Sequence, residues 1–285
     1  EALSKQAIRI VRLFGNTEAT KVLPSVGAEQ EYFLVDSAKA LQREDIIFSG
    51  RTLFGAPAPK GQEMDDHYFG AIKPRVAEYM ADLNEELWKL GILAKTEHNE
   101  VAPAQHELAP IYTTTNIATD HNQLTMEIMQ KVASRHGMVC LLHEKPFAGV
   151  NGSGKHNNWS LCTDTGINLF APGKNPKGNM LFLTFLVNVL MMVYKNQNLL
   201  RASIMSAGNS HRLGANEAPP AILSIFLGKQ LSSILDEIAR QISSSKMTSE
   251  EKTTLKLGIG RIPEILLDTT DRNRTSPFAF TGNRF

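Results

Sequence analysis

Apolar residues recur at helical spacing in several stretches of the chain. In residues 3–14, Ile8, Val11 and Leu13 stand among Lys5, Arg9 and Arg12, and Gly15 ends the run. Residues 74–90 predict a second helix: Pro74 suits the first turn, Val76, Tyr79, Met80, Leu83 and Leu87 form a stripe, and Gly91 can cap the end. Residues 120–136 read as another amphipathic helix closed by Gly137. A helix is expected from about Gly178, and residues 180–193 are the most apolar run of the chain. That run is shorter than the roughly 20 residues of a membrane span and Asn188 interrupts it, so a buried core helix is expected. Strand patterns occupy 27–36, 92–95 and 138–142, and another strand opens near His156. Residues 222–242 read as strand then helix, and Thr248 with Glu251 forms a capping box for a short helix. Residues 37–72 lack periodicity and carry Gly50, Gly55, Pro57, Pro59 and Gly61; connections this long are usually functional or mobile. Strands and helices mix without a βαβ cadence. The predicted class is therefore α+β, with flanking helices and an antiparallel sheet curved around a site.

Composition changes this picture little. At 285 residues the chain suffices for one large domain or two small ones, and 42% hydrophobic with 21% charged residues describes a soluble globular protein. The formal net charge of +1 supplies no bulk field for nucleic acid or membrane, so neither is an expected partner. Two cysteines, Cys140 and Cys162, are too few for a disulfide framework and fit a reducing cytoplasm. No N-terminal signal is visible, and Glu1 is not a natural start.

The chemistry concentrates in short segments. In GAEQEYFLVD at 27–36, strand alternation puts Glu29, Glu31 and Phe33 on one face. The two carboxylates sit roughly 6–7 Å apart there. Their repulsion calls for something positive in front of them, and hard oxygen ligands suit Mg²⁺ or Mn²⁺. A solvent-facing strand edge is the competing reading of this motif taken alone. A second pair, Glu100 and Glu107, flanks Pro103, which prevents one continuous strand; a turn there lets both carboxylates face one cavity. The loop NGSGKH at 151–156 lacks the Walker spacing, so its glycines are read as permitting close backbone approach to a ligand. His156 then opens a strand whose face it shares with Asn158 and Ser160. Arg212 stands in a Gly/Pro-flanked loop with Glu217, and Arg272, Arg274 and Arg284 crowd the C-terminus. Arginine forks beside acidic metal ligands point to phosphoryl transfer from a metal–nucleotide, with a solvated basic tail as the alternative for the last group.

Taken together and in this order, the motifs resemble the glutamine synthetase family. The segment at 27–36 is similar to its Gly-x-Glu-x-Glu strand. EVAPAQHE at 100–107 is similar to its Glu-Val-x-Pro-x-Gln-x-Glu motif, and residues 145–160 to its Lys-Pro … Asn-Gly-Ser-Gly-x-His … Ser signature. Residues 212–219 and 272–284 resemble its arginine-bearing loops. The likeness covers about 27–285, and the wording is most similar to the large type III bacterial enzymes.

The resemblance implies the glutamine synthetase and guanido kinase-like catalytic fold. It also implies ATP-dependent ligation of ammonia to glutamate through γ-glutamyl phosphate, with Mg²⁺ or Mn²⁺. Carried over by position, Glu31, Glu100 and Glu107 would hold one metal, and Glu29 and His156 the other. Asn151 and Gly152 would bind the amino end of glutamate, and Arg212 its carboxylate. Glu217 would close over the intermediate, and Tyr68 would stand near the ammonium pocket. Lys95, Asn158, Ser160, Arg274 and Arg284 fall at nucleotide or phosphate positions. The implied assembly is a cytoplasmic homo-oligomer of stacked rings, a dodecamer, with active sites between subunits.

Three departures stand out. Arg212 and Glu217 are five apart where other types commonly have six. Residues 276–280 lack an arginine that other types carry. The chain stops at Phe285, before a glutamate ligand expected two residues after Arg284. Residues 1–285 are thus expected to be one catalytic domain cut from a longer enzyme, lacking its N-terminal domain, binding metal weakly and making no glutamine alone. A γ-glutamyl ligase for another amine and a non-catalytic structural relative are the alternatives; a guanidino kinase would need a different arginine pattern.

Overall fold

The computed structural model describes residues 1–174, 178–244 and 276–285. Its helices are α1 (Ala2–Leu13), α2 (Ser37–Ala40), α3 (Glu44–Ser49), α4 (Pro74–Lys89), α5 (Thr115–Arg135), α6 (Met180–Ser203), α7 (Ala207–Arg212) and α8 (Gly228–Ser244). The strands are β1 (Val22–Asp36), β2 (Ala94–Asn99), β3 (Gln105–Pro110), β4 (Thr113–Thr114), β5 (Met138–Leu141), β6 (Lys155–Thr163), β7 (Ile225–Phe226) and β8 (Phe278–Ala279). The chain divides into two compact units, and β1 and β6 each contribute residues to both.

The first unit comprises Pro24–Trp159 and Arg201–Ala221. It is organised by β1, whose 15 residues give β3, β4, β5 and β6 a common partner, while β2 joins through β3. Antiparallel register sets Glu31 opposite Glu107 and Phe33 opposite Gln105; on the other edge Phe33 meets Leu141. The expected antiparallel sheet with flanking helices is present. β1 begins five residues before the expected stretch, because Ser25 and Val26 pair with β4.

Alternation divides the sheet into two faces. Tyr32, Leu34 and Leu108 pack against Val76, Tyr79, Met80, Leu83 and Leu87 of α4 and Met129, Val132 and Ala133 of α5. Each fully buried side chain of this kind contributes about 1.5–3 kcal/mol of transfer free energy. On the opposite face Phe33 joins Ala40, Ile46, Ala102, Leu141 and Val150. The acidic residues of β1 share that second face, next to its apolar cluster.

The stripe of α4 matches its expected bounds, and Gly91 follows with φ +77°. α5 starts at Thr115 rather than at 120, since only Ala118 in its first turn is buried and no apolar stripe marks it. Pro103 acts as expected: β2 stops at Asn99, β3 starts at Gln105, and Ala104 turns the chain with φ +61°.

Residues 37–72 are less irregular than expected, containing α2, α3 and a 3₁₀ turn at Glu63–Asp65. A polar hub organises them. Asp45, 5% exposed, accepts from Arg43 Nε at 2.9 Å and Nη2 at 2.6 Å, and from the main-chain N–H of Leu53 at 2.9 Å. Such a hub has no sequence period.

The second unit comprises Glu1–Leu23, Ser160–Leu200 and Ile222–Phe285. Phe182, Leu183, Phe185, Leu186, Val189 and Val193 of α6 are buried, and Phe182 packs on Phe280. Phe285 meets Phe170 and Phe280 at ring distances of 5.2 and 5.3 Å. α6 runs 24 residues, longer than its apolar run. Asn188 does not break it: the amide donates to the Thr184 carbonyl one turn back, at 2.8 Å. Among the described residues α6 is the one helix long and apolar enough to cross a membrane by length and composition, and a third of its apolar window is buried. β7 pairs with β8 in parallel. The helix expected at 248–251 lies outside the described residues.

The Arg43 hydrogen bonds, then the Leu53 N–H, hold the Asp45 carboxyl below the ordinary carboxylate range. A lowered acid contributes stability that is complete above its unfolded pKa and fades as pH falls toward its folded value. Asp45→Asn should therefore melt below wild type at pH 7, and the gap should narrow progressively below about pH 4. Thermal melts across pH check both; a gap constant with pH would refute the linkage.

Candidate functional site

The site grows from the β2–β1 row of the first unit. Cross-strand register sets Glu31 opposite Glu107, and Glu107 opposite His98. Directly opposed residues in an antiparallel pair lie about 4.5–5.5 Å apart at Cα, so these three side chains form one row on one face. Glu100 directly follows β2, ahead of the turn into β3. His98 Nε2 lies 2.9 Å from Glu100 Oε1 and 2.9 Å from Glu107 Oε2. One ligand atom from each of His98, Glu100 and Glu107 falls within 4.8 Å of the others. Tyr68 packs its ring edge against His98, with centroids 5.7 Å apart.

On the β6 side, Glu29 is held by two groups. His156 Nδ1 is 3.1 Å from Glu29 Oε2, and Asn158 Nδ2 donates to Glu29 Oε1 at 2.6 Å. Glu31 accepts the main-chain N–H of Gly154 at 2.7 Å.

The electrostatics follow from crowding carboxylates on a dry wall. Burial, then the charge of Glu100, pushes the Glu31 carboxyl up to about 7, against the pull of the Gly154 N–H and Arg212. Burial, opposed by the His98 hydrogen bond, leaves Glu107 raised, with the charges of Glu29 and Glu100 adding to the rise. For Glu29 burial again favours the neutral form, but the His156 contact and the Asn158 bond prevail and lower it. Hydrogen bonds to Glu100 and Glu107 raise His98 to about 10. Glu31 and Glu107, pushed toward neutrality by burial and then by neighbouring carboxylates, are donors that a divalent cation would relieve, and their hard oxygens suit Mg²⁺ or Mn²⁺.

The glycine loop is gripped at every residue from 150 to 154. Lys145 Nζ and Asn216 Nδ2 both donate to the Val150 carbonyl. Asn151 is hydrogen-bonded to Gln62, Gln105 Nε2 donates to the Gly152 carbonyl at 2.9 Å, and Ser153 N–H donates to the Glu144 carbonyl at 2.9 Å. Arg212, at the end of α7, lies along this loop. A Cβ at Gly152 would stand 2.2 Å from the Glu144 carbonyl oxygen, and one at Gly154 would stand 2.4 Å from Arg212 Nη2. These two glycines are needed for close approach, not for special dihedrals.

The sequence expectation placed Arg212 in a loop; it closes the short helix α7 instead, with Glu217 on the following turn, where Gly214 N–H bonds to the Pro219 carbonyl. Glu29, Glu31, Glu100, Glu107 and His156 fall on strands β1, β3 and β6 and the β2–β3 turn of one unit, and Tyr68, Asn151, Gly152, Asn158, Arg212 and Glu217 belong to that unit too. Lys95 is exposed at the bulge of β2 between Ala94 and Thr96. Ser160 and Arg284 belong to the second unit. The Ser160 hydroxyl bonds Asn168 and the Asn283 carbonyl there, and Arg284 is exposed. Arg274 lies outside the described residues. Sequence reading missed His98, although its position two before Glu100 on a strand is a usable signal. It also missed Gln62 and Asn216, for which no spacing gave notice.

An α+β fold with an antiparallel sheet, a carboxylate–histidine cluster on one face and an arginine over a glycine loop defines a candidate cation-assisted, anion-binding enzyme. Comparison with known proteins narrows the class. The family described as "Glutamine synthetase, catalytic domain" matches residues 8–221. The chain is 70% identical over 284 residues to glutamine synthetase of Bacteroides fragilis and 50% identical over 285 residues to type-3 glutamine synthetase of Dictyostelium discoideum. All of this chain is covered in both, but it spans only 39% and 38% of those proteins. The cryo-EM structure of Plasmodium falciparum glutamine synthetase shares the fold, with TM-score 0.55, 18% identity, and coverage of 79% of this chain and 45% of that one. The chain belongs to the glutamine synthetase family.

Gly152→Ala drives a methyl into main chain, whereas Gly154→Ala meets the movable end of Arg212. Denaturant unfolding should place Gly152→Ala about 1–3 kcal/mol below wild type. Gly154→Ala should stay within about 1 kcal/mol of it. The reverse order would mean that the loop path, rather than Arg212, is the adaptable partner.

Proposed function

We propose that the protein ligates ammonia to glutamate, using ATP and passing through γ-glutamyl phosphate. The observation that carries this reading is the convergence of carboxylates and histidines on one sheet face, beside a glycine loop covered by Arg212. Glu31, Glu100 and Glu107, with His98 between the last two, would hold one Mg²⁺ or Mn²⁺, and Glu29 and His156 a second. Such ions neutralise phosphate charge and polarise the phosphoryl group being transferred.

The chain's own residues do the rest. Arg212 offers a planar fork to the α-carboxylate of glutamate. Asn151 and the Gly152 backbone receive its amino end. The loop carrying Glu217, tied to Val150 through Asn216, would shield an acyl phosphate from water. Glu217 and Tyr68 serve the incoming ammonia. Lys95, Asn158, Ser160, Arg274 and Arg284 are proposed for the nucleotide and its phosphates. Residues 1–285 are proposed to act as one catalytic domain, supported by the family match across 8–221. The intact protein is proposed to be a cytoplasmic ring assembly with active sites between subunits.

The deciding assay is ADP and glutamine formation from ATP, glutamate and ammonia by the intact protein, with methylamine in parallel. Glutamine with stoichiometric ADP is expected; preference for methylamine would move the reading to another amine, and no turnover would reject it. Glu107→Gln should weaken Mn²⁺ binding by more than about tenfold in a titration. Unchanged binding would remove Glu107 from the metal set. Arg212→Lys keeps charge but loses the fork, so KM for glutamate should rise about tenfold with KM for ATP nearly unchanged. Steady-state kinetics with each substrate varied would show it, and an effect on ATP alone would move Arg212 to the phosphates.

A further inference from the structure

Asn151 opens the glycine loop and is 3% exposed. Two hydrogen bonds join it to Gln62, 89 positions earlier: the Asn151 main-chain N–H donates to Gln62 Oε1 at 2.8 Å, and Gln62 Nε2 donates to Asn151 Oδ1 at 3.2 Å. Only one arrangement of the two amides satisfies this pair. A main-chain N–H can only donate, so it fixes the oxygen of Gln62. The Gln62 nitrogen is then the atom facing the Asn151 side chain, and a donor there requires the Asn151 oxygen. An amide oxygen has two lone pairs, and Gln62 takes one.

From this geometry we infer that Gln62 is a positioning residue for the amino-acid substrate: it locks the Asn151 amide with its oxygen as acceptor, and the second lone pair takes the substrate's ammonium group. The inference rests on the reading that Asn151 meets the amino end of glutamate. Gln62 acts through Asn151 and touches no reacting atom. The rest of the loop is anchored independently, by Lys145 and Asn216 on Val150, by Gln105 on Gly152 and by Glu31 on Gly154. Losing Gln62 therefore releases the Asn151 amide while the loop keeps its path.

Gln62→Glu in the intact protein is the sharpest test. Its carboxylate still accepts the Asn151 N–H but cannot donate, so it attracts Asn151 Nδ2 and turns the amide around. A donor then faces the ammonium. KM for glutamate should rise about tenfold or more, the scale of a hydrogen bond to a charged group, with KM for ATP within about twofold. Glutarate, the same dicarboxylate without the amino group, separates positioning from general damage: its inhibition constant should not change. Gln62→Ala frees the amide without reversing it and should raise KM for glutamate less than Gln62→Glu does; it also serves if the glutamate variant melts early. A parallel rise in the glutarate constant, or no change in KM for glutamate, overturns the proposal. Wild-type protein that turns over no glutamate at all would instead reject the underlying reading of the site, and this inference with it.

Discussion

Glu31 and Glu107 face each other across an antiparallel pair, where like charges destabilise a sheet. Much of the first unit is arranged around that repulsion. Glu29 and Glu100 enlarge it. His98, Arg212 and the Gly154 N–H answer it, each by standing within reach of a carboxylate on the same face. Such a cluster sacrifices stability locally, and the opposite face supports it: Tyr32, Leu34 and Leu108 bury their alternate side chains under α4 and α5, so the strands that carry the charges cannot spread apart. Phe33 and its apolar neighbours flank the cluster on its own face, which keeps the dielectric low and the charges strong.

The glycine loop is the second organised feature. It borrows its anchors from far along the chain: Gln62 from the segment before α4, Gln105 from β3, Glu31 from β1 and Asn216 from the turn after α7. A loop held this way presents its backbone in one conformation without secondary structure of its own. The same anchors couple the acidic row to the turn bearing Glu217, because Gly154 answers to Glu31 while Val150 answers to Asn216.

The features legible in the sequence were those with a local period or an ordered set of short motifs. The stripe of α4, the turn at Pro103, the carboxylate spacing of β1 and the glycine loop are written in neighbouring residues, because helix and strand geometry repeat over a few positions. Motif order also brought the family within reach. What tertiary structure decided are contacts between residues with no shared period. Asp45 draws Arg43 and the Leu53 N–H into a hub that turns an apparently irregular segment into helices. Asn188, read as a break in an apolar run, satisfies its own amide one turn back and lets α6 run past it to a kink at Asn196. Gln62 reaches Asn151 across 89 positions, and His98 gains its place between Glu100 and Glu107 only when β2 folds back on β3. Hydrogen bonds and charge pairs depend on distance in space. Sequence spacing reports that distance only inside an element whose backbone repeats.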